Sequence, residues 1–145
     1  MVSDVKYTIE DLNFMKLFQA VSGIYPRDIL QDQKFNRTII VVDKGNMGAS
    51  IGKSGQNIIY IKKVTGKDVV VVEYSDKMQD FIKGLIGQNV SFNISENINS
   101  TGAKQVTISV SPESKGLVFG IKGQNIEKIK LLLRRYFNVD QVKVI

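Results

Sequence analysis

Apolar residues follow two rhythms along this chain, and the pair of rhythms is used twice. Behind Thr8, a good N-cap residue, Leu12, Phe14 or Met15, and Phe18 return at helical spacing until Gly23 and Pro26 end the run. Ile29-Leu30 and then Thr38 to Val42 read as two strands joined by the polar stretch around Gln33 to Asn36. Gly45 and Gly48 open a short helical segment that closes at Ile51. After a glycine-framed loop, Ile58, Ile61 and Val64 mark one face of a helix running to about Thr65, with Gly66 as its stop. The β-branched run Val69 to Val72 reads as a strand.

The second half repeats this order. Ser75 is expected to cap a helix that runs through Phe81, Leu85 and Ile86 to Gly87. Val90, Phe92 and Ile94 alternate with polar residues, as do Val106, Ile108 and Val110, and Asn99-Ser100-Thr101-Gly102 makes the turn between them. Such alternation describes strands with one face on helices and the other in water. Pro112 and Glu113 start a short helix, Gln124 to Phe137 form a long one, and Val142 to Ile145 close the fold as a strand. The fold class is therefore α+β, in two αββααβ units, each with a three-stranded sheet packed on helices. The boundary falls near Tyr74–Ser75, giving units of residues 1–74 and 75–145. No Gly/Ser/Pro-rich linker separates them, so docked units with one continuous basic groove are expected.

One phrase carries the repeat most clearly. Ile51-Gly52-Lys53-Ser54-Gly55-Gln56-Asn57-Ile58 returns as Phe119-Gly120-Ile121-Lys122-Gly123-Gln124-Asn125-Ile126, with Gly48 matching Gly116, Ile61 matching Ile129 and Val64 matching Leu132. A G-x-x-G pair gives backbone freedom and permits close approach. Between two helices, it sets backbone N–H groups beside the partly positive start of the second helix, a place suited to a phosphate. Lys53 and Lys122 add charge inside the loops. Around them lie Lys44, Lys62, Lys63 and Lys67, then Lys115, Lys128, Lys130, Arg134 and Arg135, each of which also fits an ordinary solvated helix face.

Composition narrows the chemistry. The net charge of +6 over 145 residues leans towards a polyanionic partner, and the 43% hydrophobic content is enough for packed cores. The absence of cysteine removes disulfides, thiolate metal sites and thiol nucleophiles; the absence of histidine removes imidazole catalysis and the commonest metal ligand. The carboxylates are scattered, with no spacing that suggests an acid–base pair or a metal cage. No catalytic residue, cofactor or metal is expected. No apolar run reaches membrane-spanning length, and Met1-Val2-Ser3-Asp4 lacks the build of a signal peptide, so a cytoplasmic protein with no membrane partner is expected.

The loop phrase resembles the core of the KH RNA-binding module, in which a G-x-x-G loop clamps the backbone of about four nucleotides. The element order is similar to the type II form of that module. The whole chain resembles the archaeal NusA-like transcription factors, through Gly45-Asn46-Met47-Gly48, Val71-Val72-Glu73-Tyr74-Ser75 and Lys115-Gly116-Leu117. The resemblance implies a monomeric tandem type II KH protein that binds single-stranded nascent RNA, acts in transcription elongation or termination, and meets RNA polymerase. A ribosomal RNA maturation or assembly factor would need the same groove and is the alternative. The RNA-binding residues implied are Gly52, Lys53, Ser54 and Gly55, with Gln56 and Asn57, and Gly120, Ile121, Lys122 and Gly123, with Gln124 and Asn125. The four amide side chains fit helix-end hydrogen bonds equally well. Ile51 and Ile58 are expected to support bases as groove walls, and Tyr60 is the one aromatic considered near RNA.

One departure stands out. The family places a basic residue after the first loop glycine, as at Lys53; the second loop has Ile121 there and its lysine one place later, and Phe119 replaces the usual small aliphatic. Two other readings compete. Gly52-Lys53-Ser54 suggests a P-loop, but that motif needs a glycine where Met47 stands, and the second copy breaks it. Alternatively, both loops are tight helix–helix turns with no ligand.

Overall fold

Thr8 begins the first helix by satisfying two backbone donors at once. Its hydroxyl accepts from the Asp11 N–H at 3.0 Å, and the Asp11 carboxylate accepts from the Thr8 N–H at 3.0 Å. This capping box contributes about 1 kcal/mol to the start of α1 (Ile9–Ser22), which Gly23 ends in a left-handed conformation. The structure, a computed structural model, describes residues 6–145. The Met1-Val2-Ser3-Asp4 segment read above lies outside the described residues.

From α1, Phe14, Met15 and Phe18 are buried, whereas Leu12 is exposed. The first helix thus packs through three consecutive contacts of its stripe, and the leading apolar position falls off the face. These side chains meet a three-stranded sheet of β1 (Asp28–Asp32), β2 (Arg37–Val42) and β3 (Asp68–Glu73), in the order β1-β2-β3. β1 runs antiparallel to β2, and β2 runs parallel to β3 with Ile40 opposite Val71. Ile29, Ile40, Val42, Val69 and Val71 share the helix-facing side and form one core cluster with the α1 residues and Ile61.

The opposite side of this sheet is also apolar. Leu30, Ile39, Val41 and Val72 are buried there, and all six residues of β2 are buried. An ion pair lies on the same side, with Arg37 Nε 2.7 Å from Asp32 Oδ2 and both side chains almost wholly enclosed. The uninterrupted runs of the first sheet therefore report burial on two faces, as continuous β-branched strands do.

Two parallel neighbours need a crossover. Here it consists of α2 (Met47–Ile51), a 3-10 turn at Lys53–Gly55, and α3 (Gln56–Thr65). Because α3 returns the chain to the start of β3, its own first turn and the loop before it lie towards the carboxyl ends of β2 and β3. Glu73, at the end of β3, accepts from the Gly45 N–H at 3.2 Å and steadies the approach to α2. Along the α3 stripe Ile61 is fully buried and Ile58 half-buried, but Val64 is exposed, because one stripe of a ten-residue helix reaches the sheet over little more than a turn.

The ladder runs past β3, since the Tyr74 N–H donates to the Val42 carbonyl at 2.8 Å. Arg27 lies 3.8 Å from the centre of the Tyr74 ring and bonds Asp43 at 2.7 Å. The Asp43 hydrogen bond and charge hold the Arg27 pKa above its ordinary value, against a smaller cost of burial. Holding Tyr74 extended in this way corrects one expectation: Ser75 does not cap the next helix. α4 (Met78–Ile86) starts three residues later behind Lys77, with no side-chain cap.

Backbone contacts divide the chain into two compact units, with the change at Ser75/Asp76. In the second, β4 (Phe92–Ile98), β5 (Lys104–Val110) and β6 (Gln141–Val144) form another three-stranded sheet, ordered β4-β5-β6, again antiparallel then parallel. Val90 precedes β4 and belongs to the connection. The β4–β5 turn is built on Asn99, whose side-chain oxygen accepts from the Thr101 and Ala103 N–H groups. Alternation holds best in β5, where Val106 and Ile108 are fully buried, while Asn93 and Ser95 of β4 are exposed. The crossover is α5 (Lys115–Phe119), a 3-10 turn at Ile121–Gly123, and α6 (Gln124–Phe137). α6 buries Ile126, Ile129, Leu132 and Leu133, and Phe81 of α4 packs against Tyr136 and Phe137 at ring separations of 5.7 and 6.0 Å. Both units thus have the α+β arrangement of helices on a three-stranded sheet.

Candidate nucleic-acid interface

Each crossover turns through a G-x-x-G loop, and the two loops share one backbone. Gly52 has φ 80° and ψ 171°, and Gly120 has φ 73° and ψ 177°. This region is essentially closed to residues with a side chain. Gly55 and Gly123 are left-handed, at φ 73° and 81°. Between them, Lys53 and Ile121 keep helical dihedrals, whereas Ser54 and Lys122 are left-handed at φ 55° and 57°. Nothing in the sequence marks Ser54 or Lys122 as left-handed, since neither type favours that conformation.

Hydrogen bonds repeat as faithfully. The first loop glycine donates back into the short helix, Gly52 N–H to Gly48 O and Gly120 N–H to Gly116 O, both at 2.9 Å. The second donates across the turn, Gly55 to Gly52 at 3.1 Å and Gly123 to Gly120 at 3.2 Å. The next amides, of Gln56 and Gln124, close on the carbonyls of Lys53 and Ile121. Some loop amides are therefore spent within the turn. The N-cap residue of α3 and of α6 is a glycine, Gly55 and Gly123, so neither helix start is capped by a side chain at that position.

Asn57 and Asn125 tie the loops shut. Asn57 Nδ2 donates to the carbonyls of Ala49 and Ser50 at 3.1 and 3.3 Å; Asn125 Nδ2 donates to those of Leu117 and Val118 at 3.3 and 3.2 Å. Of the two roles open to these residues, the geometry supports helix-end bonding. It also explains the first glycine of each pair. A Cβ on Gly52 would lie 2.7 Å from Asn57 Nδ2, and one on Gly120 would lie 2.8 Å from Asn125 Cβ and 2.9 Å from its backbone nitrogen. The close approach that these glycines permit is first of all internal.

The remaining candidates spread outward. Lys53, Ser54, Ile121 and Lys122 are exposed, as is Gln56, while Gln124 is half-buried. Ile51 and Ile58 are half-buried and pack on the core of the first unit, which limits them as free groove walls. Tyr60 is exposed on the outer face of α3. Of the surrounding cations, Lys62 pairs with Asp68 at 3.0 Å, Lys67 donates to Gln31 at 2.8 Å, and Arg134 donates to the Asp140 carbonyl at 3.2 Å. Lys44, Lys53, Lys63, Lys115, Lys122 and Lys130 make no hydrogen bond or ion pair among the described residues. These six are the charges left for an anionic ligand. Sequence reasoning did not identify Leu117 and Phe119 as exposed apolar residues. They flank Val118, which is fully buried.

Among the described residues no helix is long and apolar enough to cross a membrane, and no group of carboxylates is arranged to hold a metal ion. In each unit the exposed loop residues, and the lysines beside them without a partner among the described residues, form a surface suited to binding an anion.

Comparison with known proteins agrees. A family model described as "KH domain" matches residues 15–96, more than half of the chain. The chain is 29% identical to a protein of Methanocaldococcus jannaschii named "Probable transcription termination protein NusA", over 99% of this chain and 77% of that protein. It is 27% identical to a protein of the same name from Halobacterium salinarum, over 97% and 98%. Among solved structures, the crystal structure of APE1850 is similar over 96% of this chain and 100% of that one, with a TM-score of 0.86 and 31% identity.

Proposed function

Since this chain belongs to the KH domain family, we propose that it binds single-stranded RNA through two type II KH units, residues 1–74 and 75–145. The matched segment holds the first loop, and the second loop lies beyond it. The observation that carries the reading is the second loop's backbone, which copies the first at every glycine and at the left-handed residue between them. A backbone device built twice serves a ligand that repeats, and the sugar–phosphate chain repeats at every nucleotide.

The loop residues proposed for RNA are Gly52, Lys53, Ser54, Gly55 and Gln56, with Gly120, Ile121, Lys122, Gly123 and Gln124; Asn57 and Asn125 act by holding the loops in shape. The likeness to proteins named for NusA supports a non-enzymatic cytoplasmic role in transcription elongation or termination, with nascent RNA and RNA polymerase as partners. Crosslinking in cells, followed by identification of bound RNA and protein, tests this against ribosome assembly. Recovery of ribosomal precursor alone would transfer the role to the latter.

Binding itself is tested by titration against salt. The slope of log affinity on log salt is about −0.7 for each phosphate neutralised on a single strand, so four to six contacts give roughly −3 to −4. Single strands are expected to bind more tightly than duplex of equal length. A flat salt response, or equal binding to duplex, would remove the proposal.

A further inference from the structure

The second loop exposes a surface that a phosphate clamp has no use for. Within five residues, Leu117 is 61% exposed, Phe119 41% and Ile121 78%. In the first unit the matching positions are Ala49, Ile51 and Lys53: a small side chain, a half-buried one packed on the core, and an exposed cation. Since the two backbones coincide, Ile121 stands where the first loop presents Lys53. A phosphate held against Ile121 would lose hydration and gain no charge. Three large apolar side chains exposed within one short segment are the composition of an interaction site.

The surroundings specify its chemistry. Between Lys115 and Asn125 there is no carboxylate, and Lys115, Lys122 and Lys130 have no partner among the described residues. A ligand with an apolar face on an anionic backbone fits both features, and an unstacked nucleotide has that character. We propose that the second loop seats an unpaired nucleobase of the bound strand against Ile121 and Phe119, where the first loop seats a phosphate. Lys122, on the left-handed position, then meets the sugar–phosphate chain beside that base. The proposal rests on the RNA-binding reading given above and assigns the two loops different parts of the same ligand.

The test compares the full chain and its variants on two ligands of equal length. One is a single-stranded RNA long enough for both loops at about four nucleotides each; the other is the same ribose–phosphate chain with its bases removed. Ile121→Ser is suited to the purpose, because a side chain so exposed adds little to folding. It is expected to lower the preference for intact over base-free strand by about threefold, the effect of uncovering part of one isoleucine. Lys53→Asp is expected to weaken both ligands alike and leave the preference unchanged. If Ile121→Ser weakens both ligands equally, or neither, the base contact is wrong even though RNA binding stands. Unchanged RNA preference together with loss of a bound protein would make the patch a protein interface and overturn the proposal. If the parent chain binds neither ligand, the RNA-binding reading itself has failed.

Discussion

The two glycine-framed loops agree in backbone to within about ten degrees and share their internal hydrogen bonds, yet they present opposite surfaces. The first offers Lys53 and Ser54, and the second offers Ile121 and Lys122. The difference teaches which positions the fold constrains. Glycines sit where a side chain would strain the backbone or strike Asn57 or Asn125, so both copies keep them. The two residues between face solvent, so they are free to diverge. Lysine appears once in each loop, but on consecutive residues, one helical and one left-handed; the two charges therefore leave the backbone differently.

The largest expected effect probes the shared part. Gly120→Ala places a methyl group against the backbone of Asn125, which cannot step aside, in a conformation reserved for glycine. A loss of about 3 kcal/mol follows, from the strained dihedrals plus the contact. Gly52→Ala meets the side chain of Asn57, which can rotate, and about 2 kcal/mol is expected. At Gly55 a methyl group meets open space, so only the left-handed conformation remains, about 1 kcal/mol. Thermal denaturation ranks the three. Equal losses at Gly52 and Gly120 would mean that the nature of the close contact is irrelevant.

Next comes the part that differs. Lys53→Asp with Ser54→Asp puts two negative charges on the first loop and leaves its glycines and the core intact. Affinity for single-stranded RNA is expected to fall at least about tenfold, or 1.4 kcal/mol, with little change in melting temperature. Lys122→Asp should cost less, because the second loop relies on an apolar contact as well. A larger loss at Lys122 would reverse the ranking of the loops.

The smallest effect returns to what they share. Asn57→Ala and Asn125→Ala each remove two side-chain bonds to the preceding short helix, at a cost of about 1 kcal/mol apiece. Equal changes in stability are expected, with slight changes in RNA affinity at either loop. An asparagine whose loss weakens RNA binding but not folding would be a direct contact, and the two loops would then differ there too.

Much of this was legible beforehand. Thr8 and Gly23 bound the first helix, Gly66 ends α3, and the long helix spans Gln124–Phe137 as its periodicity implied. The α+β class and the repeat of the loops were visible from spacing alone. The start of α4 was not, because a ladder bond from Tyr74 to Val42, distant in sequence, keeps the chain extended beyond the point where Ser75 offers a cap. Leu12 and Val64 look like core by periodicity and are exposed, because a stripe buries only as far as a neighbouring element reaches.

By itself, the sequence determined the kinds of element, their order, and the places where glycine is required, because propensity, periodicity and caps act over a few neighbouring residues. Tertiary structure decided the rest. It kept the chain extended through Tyr74, so that α4 starts behind Lys77 and not behind Ser75. It turned Asn57 and Asn125 inward as ties, set Ser54 and Lys122 in a left-handed conformation that neither residue favours, and left Ile121 in solvent. Each of these depends on which distant segment fills the space beside a residue, and no local pattern encodes that.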